Sequence, residues 1–338
     1  MINAAILGLG RWGRALVNSV QGKSDAIRFV AGATRTRTGA EDFAREKGFK
    51  LVDRYDEILS DPSIDAVVIA TPHSQHAEQV KAAIAAKKHI HVEKPITLDR
   101  PSAELLVKAA QDAGLMVSVG FCRRFHPSVG DIRARLKDGR LGQVMSMTAQ
   151  YTTSTGQFIP PDHWRADATE APAGGLTAVG VHLIDHMIEF AGPVRDVLCA
   201  TTQYIPGPEA DDTTTILLRF ESGATGTMFC SVATATDFRF SLYGTKGLAE
   251  IARIDLSQFR YVPTSDAPPT GVITAPPDQT AEHSGFDMLG AQMEAFANSI
   301  ATGVPYLIPL DDVLHGMAVF DAVVRSAKTG RIEPVAGK

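Results

Sequence analysis

The short apolar run 3–7 ends in Gly8-Leu9-Gly10-Arg11-Trp12-Gly13, a GxGxxG pattern placed where a strand gives way to a helix. Few sequence features restrict a fold more. The first glycine permits a tight turn, the second lets backbone approach a pyrophosphate, and the third allows close packing of helix on strand. The helix that opens there offers free N–H groups and a partial positive charge to phosphate oxygens. Arg11 and Trp12 sit inside the motif. The surrounding rhythm agrees. Apolar runs at 27–33, 66–70, 89–92 and 115–119 alternate with amphipathic stretches. In 73–86, Ala77, Val80 and Ile84 recur at helical spacing, and Asp99 opens another helix with Leu105, Leu106 and Ala109 expected on one side. Near-continuous apolar strands separated by helices predict a doubly wound parallel sheet covered on both faces, a Rossmann domain.

The second strand runs into Ala33-Thr34-Arg35-Thr36-Arg37-Thr38. A site for NAD(H) usually has Asp or Glu here to hold the ribose 2′-hydroxyl. Thr34, Arg35 and Arg37 instead offer a hydroxyl and two guanidiniums, which suit a 2′-phosphate dianion. NADP(H) is therefore favoured over NAD(H). A solvated basic loop without a ligand is the plainer alternative.

Beyond residue 122 the pattern changes. A helix is expected at 127–137, and a polar, Gly/Pro-rich stretch runs from Thr152 to Gly174. Strands follow at 194–203, 213–220, 224–232, 238–243 and 247–252, with hairpin turns at Glu221-Ser222-Gly223 and Gly244-Thr245-Lys246-Gly247. Adjacent strands without intervening helices predict a large, mostly antiparallel sheet. Residues 262–284 read as a loop. Two helices close the chain, with stripes Leu289, Met293, Phe296, Ile300 and Val313, Met317, Phe320, Val324. The 338 residues thus divide into an α/β domain, 1–121, and an α+β domain, 122–338, with the closing helices free to pack back on the first.

A net charge of −5 and a pI near 6.1 give no basic face for nucleic acid or an anionic membrane. Cys122, Cys199 and Cys230 are too far apart for a CxxC site. No signal-like or membrane-length apolar segment is visible, so a cytoplasmic protein is expected. His73, His76 and His91 flank separate strand ends without a carboxylate cluster, so no metal is expected.

Four motifs together, Gly8-x-Gly10-x-x-Gly13, Thr71-Pro72-His73-x-x-His76, Glu93-Lys94-Pro95 and Gly180-Val181-His182-x-x-Asp185, resemble the Gfo/Idh/MocA oxidoreductases over nearly the whole chain. The resemblance implies a nicotinamide-dependent dehydrogenase or reductase acting on CH–OH or C=O groups of a sugar, polyol or related compound. It implies Lys94 as proton donor or acceptor, Glu93 near the nicotinamide end, Thr71, Pro72, His73 and His76 along the cofactor, and a homodimer or homotetramer formed through the C-terminal sheet. The residues support Lys94 independently. It follows a buried strand at its carboxyl end, where open α/β sheets bind ligands, and partial desolvation would lower its pKa.

Residues 175–190 read as a helix in which Ala178, His182, Asp185 and Glu189 share one face, expected to look into the cleft. On its own residues, His182 reads equally as a proton carrier or a structural histidine; the resemblance points to catalysis or substrate binding, with Asp185 beside it. Many family members carry Asp where this chain has Ala178, which leaves the usual proton relay incomplete. Arg124 reads as a substrate ligand or an interdomain salt bridge, with Arg123 the weaker candidate. Trp164, followed by Arg165, reads as a sugar-stacking surface or as loop packing. A non-catalytic nucleotide or sugar sensor on the same fold is the rival from another class, and reduction of a C=N or C=C bond is the rival among enzymes.

Overall fold

The computed structural model describes residues 1–207, 209–265 and 276–336. The chain divides into two compact units, Met1–Phe125 with Asp287–Leu314, and His126–Phe286 with His315–Lys338.

The first unit is built on β1 (Ile2–Leu7), α1 (Arg11–Val20), β2 (Ile27–Ala33), α2 (Ala40–Lys47), β3 (Lys50–Val52), α3 (Tyr55–Ser60), β4 (Ala66–Ile69), α4 (His76–Ala85), β5 (His89–Val92), α5 (Arg100–Asp112) and β6 (Val117–Val119). Its six parallel strands lie in the order β3-β2-β1-β4-β5-β6, so the winding reverses between β1 and β4. Ala66, Val67, Val68 and Ile69 are fully buried on both faces, as a covered parallel strand requires. One face of the sheet packs Ile6, Phe29 and Val68 against Leu16 and Val17 of α1 and against Met293, Phe296 and Ala297.

Those last three residues come from the helix Met288–Thr302, which therefore belongs to this unit. A polar pin holds it. His91 on β5 donates from Nδ1 to Ser118 at 2.8 Å and accepts at Nε2 from the Gln292 amide at 3.2 Å. Burial pushes the His91 pKa down to about 3, so the ring is neutral. The unit also extends past the expected boundary at Phe121. The 3-10 turn Cys122–Phe125 stays with it because Arg124 pairs with Asp312 at 2.9 Å. On α5 the buried stripe is Ala103, Leu106, Val107 and Ala110, and Leu105 is 73% exposed. The expected stripe was one residue out of phase. The buried face is centred between Leu106 and Val107, which turns Leu105 to the outside.

The second unit contains α6 (Pro127–Lys137), β7 (Val144–Thr152), α7 (Val181–Ala191), β8 (Val194–Thr202), β9 (Thr213–Phe220), β10 (Thr225–Ser231), β11 (Asp237–Gly244), β12 (Gly247–Ala252), β13 (Gln258–Pro263) and β14 (Gln279–Glu282). The chain then passes through α8, the helix Met288–Thr302 of the first unit, and ends with α9 (Leu310–Thr329) and β15 (Glu333–Pro334). Only the first five residues of α9 fall in the first unit, so α8 alone packs back in full.

The nine strands lie in the order β14-β13-β12-β11-β7-β10-β9-β8-β15. Every pair is antiparallel except β7 with β10. The inner face carries Met147, Ile216, Leu218, Met228, Cys230, Phe238, Phe240 and Leu242, all buried. The hairpins appear where the turns predict them, whereas no strand was expected at β7, β13, β15 or β14. The last is a polar edge, Gln279-Thr280-Ala281-Glu282, inside the stretch expected to be a loop; residues 266–275 of that stretch lie outside the described residues. In the single chain the outer face of the sheet is open, with Phe229 38% exposed between buried Met228 and Cys230.

Candidate active site

The carboxyl edge of the six-stranded sheet gathers the first group of candidates. Gly8 leaves β1 with φ +90°, and a Cβ there would lie 2.6 Å from the Ala70 carbonyl oxygen that follows β4. A Cβ on Gly13 would lie 1.9 Å from the Gly8 carbonyl oxygen, so the helix can approach the turn only without one. Gly10 differs. No atom lies within 4 Å of where its Cβ would be, so the backbone is open on that side. Gly10 is also the N-cap of α1, with no side chain capping the helix and no acid in its first turn. The first N–H groups of a helix lack intrahelical acceptors, and here no side chain blocks them. An open backbone wall beside uncapped N–H groups fits a pyrophosphate. Arg11 is exposed at this helix start, whereas the Trp12 ring packs against the unit's core, so Trp12 offers the site only its backbone.

Next along the edge, the Thr71 hydroxyl donates to Gln79 Oε1 at 2.6 Å, and Pro72 caps the 3-10 turn His73–Gln75. His73 is buried beside His76, with ring centroids 5.8 Å apart. His76 is fully buried. Its Nδ1 lies 2.9 Å from the Pro95 carbonyl and its Nε2 3.0 Å from the Thr71 carbonyl. It braces the Thr71 turn against the Lys94-Pro95 turn, a role its spacing alone did not reveal.

Glu93 and Lys94 follow β5 directly, and the Lys94–Pro95 peptide is cis. The Glu93 carboxylate is buried against Gly120, where a Cβ would stand 2.6 Å from Oε1. Its Oε2 accepts from the Lys94 backbone N–H at 3.3 Å. Lys94 itself is half-buried. The neighbouring Cys122 thiol is pushed up to about 12 by burial, with Arg123 and Lys94 working against that shift and Glu93 with it. A thiol so protonated is no nucleophile.

The ribose loop is more constrained than its sequence implied. Arg35 is exposed and has no hydrogen-bond or ion-pair partner among the described residues. Arg37 donates to Asp53 at 2.5 Å and to Glu41 at 3.0 Å. Arg124 is 2% exposed and paired with Asp312 inside the first unit, so this bridge is not the interdomain one expected.

The second unit holds His182 and Asp185, both buried on α7. The helix starts with a π-helical turn, Leu176–Gly180, instead of a regular α turn. The wider turn takes Ala178 off the strict α-helical spacing on which its shared face with His182 was based. Close packing accompanies it: a Cβ on Gly180 would lie 2.7 Å from Cys230 Sγ. The Tyr151 ring lies 6.3 Å from that of His182. Glu189, on the same helix, is paired with Arg133 of α6. Trp164 packs within its own turn. Its indole stacks on His163 at 5.6 Å and carries the Arg165 guanidinium at 4.3 Å. Partial burial, then Arg165, hold the His163 pKa below the usual range.

Asp53, Glu41, Gln79 and Gly120 were not singled out from sequence. Each acts through a partner on another element, and no spacing rule connects such pairs.

Comparison with known proteins adds the following. The family model described as an oxidoreductase family with NAD-binding Rossmann fold matches residues 2–121, and the GFO/IDH/MocA C-terminal domain matches residues 129–250. The chain is 30% identical to trans-1,2-dihydrobenzene-1,2-diol dehydrogenase of Oryctolagus cuniculus, over 66% of each protein, so it spans just under two thirds of that relative. It is 27% identical to scyllo-inositol 2-dehydrogenase (NAD(+)) of Bacillus subtilis, over 97% of this chain and 95% of the relative. Among solved structures, levoglucosan dehydrogenase in complex with NADH and L-sorbose has the same fold, with a TM-score of 0.89 at 22% identity, covering 100% of this chain and 99% of that one.

Proposed function

Because this chain belongs to the Gfo/Idh/MocA oxidoreductases and carries their NAD-binding Rossmann fold, we propose that it oxidises a CH–OH group, or reduces the matching carbonyl, of a sugar, polyol or related small molecule. NADP(H) is the preferred cofactor in this reading. The observation that carries it is the carboxyl edge of the first-unit sheet. There the open Gly10 backbone and uncapped α1 follow β1, two strands across the sheet from β5, which Lys94 leaves on a braced turn.

The backbone of Gly8–Gly13, with Arg11, would hold the pyrophosphate. Thr34, Arg35 and Arg37 would meet the adenosine ribose, and Thr71, Pro72, His73 and Glu93 would line the path to the nicotinamide. The cofactor, when bound, supplies or takes up the hydride. Lys94 manages the proton on the substrate oxygen through Nζ, and His182 assists as a second donor or acceptor. Asp185, Trp164 and Arg165 are the further substrate-side candidates of the second unit. The outer face of the nine-stranded sheet, with Leu198, Leu217, Phe229 and Tyr243 exposed, is the proposed surface for a homo-oligomer. No described helix is long and apolar enough to cross a membrane, and a cytoplasmic location is proposed with the rest.

Calorimetric titration with NADPH and with NADH tests the cofactor reading, and binding of neither by folded protein refutes it. Turnover of sugars and polyols by wild type, lost by at least a hundredfold in Lys94→Ala while cofactor affinity is kept, tests the catalytic assignment. Ala178 favours one second reading, a sensor that binds cofactor and substrate without turning over. Its signature is binding of both with no change in cofactor absorbance for any substrate.

A further inference from the structure

The ribose loop contains no acid of its own, yet one reaches it from the neighbouring strand. β2 and β3 run parallel with Ala31 opposite Lys50, Gly32 opposite Leu51 and Ala33 opposite Val52. Thr34 and Asp53 therefore leave the sheet side by side at its carboxyl edge. Asp53 takes Nη1 of Arg37 at 2.5 Å, and Glu41, in the first turn of α2, takes Nε and Nη2 at 3.0 Å. One guanidinium thus serves two carboxylates. Arg35, two residues away, has no such partner among the described residues. The four side chains carry two positive and two negative charges, so the loop is electrically balanced although its own sequence is basic.

We propose that Asp53 is a specificity-determining residue, which restrains the preference for NADPH by occupying Arg37 and by facing a 2′-phosphate with like charge. The inference rests on the reading that the first unit binds a nicotinamide dinucleotide. A 2′-phosphate brought to Arg35 and Arg37 competes with both carboxylates for the Arg37 guanidinium and lies near them. A 2′-hydroxyl meets no such opposition and can itself donate to a carboxylate, which is the task an acid at the end of β2 performs in NAD-preferring sites. Glu41 shares the hold on Arg37 through Nε and Nη2. All three side chains are substantially exposed, at 40% for Arg37, 63% for Glu41 and 81% for Asp53. Solvent and salt therefore screen the effect.

The test is calorimetric titration of NADPH and NADH into wild type, Asp53→Asn, Arg37→Ala and the double variant, at low and high salt. Asp53→Asn is expected to raise the ratio of NADPH to NADH affinity by about three- to tenfold at low salt, with a smaller gain at high salt. Arg37→Ala is expected to lower NADPH affinity, and Asp53→Asn added to it to give a smaller gain than in wild type. An unchanged ratio in Asp53→Asn, or an equal gain with Arg37 absent, overturns the inference while the cofactor reading stands. Binding of neither dinucleotide to folded wild type overturns both. Thermal unfolding of each variant without ligand separates these results from loss of fold.

Discussion

The glycine signature makes a prediction in which two chemically identical substitutions part company. Consider first Gly10→Ala. Its φ of −70° and ψ of −174° are open to alanine, and the added methyl meets nothing within 4 Å. Restricting the unfolded chain stabilises by about 0.4–1 kcal/mol. Alanine is the poorer N-cap, which costs a similar amount. The two effects nearly cancel, and the ligand-free protein should keep its unfolding midpoint. The same methyl, however, fills the side from which backbone must meet a pyrophosphate. Each charge-assisted hydrogen bond lost is worth about 1.5–3 kcal/mol, so dinucleotide affinity should fall by at least tenfold.

Gly13→Ala should do the reverse first. Alanine gains about 1 kcal/mol of helix propensity over glycine. Its methyl would lie 1.9 Å from the Gly8 carbonyl oxygen, a backbone atom that cannot rotate away. Moving α1 off the turn should cost about 1–3 kcal/mol or more, as overpacking does. Once the propensity gain is exceeded, each further kcal/mol lowers the midpoint of a unit this size by about 2–4 °C. Scanning calorimetry of the ligand-free variants, followed by NADPH and NADH titration, reads both effects. Gly10→Ala binding either dinucleotide as tightly as wild type does would mean that the open side of Gly10 is not the phosphate wall. A Gly13→Ala protein as stable as wild type would refute the packing argument.

Three other expectations are simpler. His76→Leu removes the ring that spans the Thr71 and Pro95 carbonyls, to one of which a neutral imidazole donates, and should cost about 1–3 kcal/mol in urea unfolding; a loss below 0.5 kcal/mol, against the range of about 1–3 kcal/mol, would show that the brace is not needed. His91 has its folded pKa pushed down to about 3, so between that value and the unfolded value near 6.5 the unfolded chain binds the extra proton. Its contribution is present above about pH 6.5 and is lost as pH falls, by about 1.4 kcal/mol per unit; His91→Asn should have a correspondingly shallower acid loss, and identical slopes would contradict the assignment. On the open sheet face, Leu217→Glu and Phe229→Glu should leave the fold intact and shift sedimentation toward monomer, whereas unchanged oligomers in both would move the interface elsewhere.

Features read best from sequence were those with a local physical cause. The strands of the first sheet are short apolar runs because both their faces are covered, and the glycines of the β1–α1 turn are forced by contacts a Cβ would violate. The antiparallel hairpins were placed by turn residues. β7 escaped notice because Ser146, Thr148 and Gln150 line its outer face, and β14 because it is a polar edge. On α5, periodicity admitted either leucine, and packing chose Leu106. Polar partnerships were the least legible. Asp53 reaches Arg37 across 16 residues, Asp312 reaches Arg124 across 188, and Gln292 reaches His91 across 201. Such pairs follow from strand order and helix docking, which no local pattern encodes.

Arg35, Arg37 and Arg124, three of the arginines considered as anion or substrate ligands, show what that means for a functional site. Residue type gave all three the same donor fork, and the carboxylates within reach then separated them. Arg35 is exposed without an ion pair among the described residues, so an anion can bind it at no cost in broken contacts. Arg37 is shared with two exposed carboxylates, each pair being worth about 0.2–1 kcal/mol. Arg124 is buried, and drawing it off Asp312 would leave a charge without its counterion at a cost of about 3–5 kcal/mol. Its guanidinium is better understood as the tie that keeps the Cys122–Phe125 turn with the first unit. Anion-binding capacity therefore falls in the order Arg35, Arg37, Arg124. Recognition of a 2′-phosphate in this chain should depend first on Arg35, with Arg37 as the adjustable member of the pair.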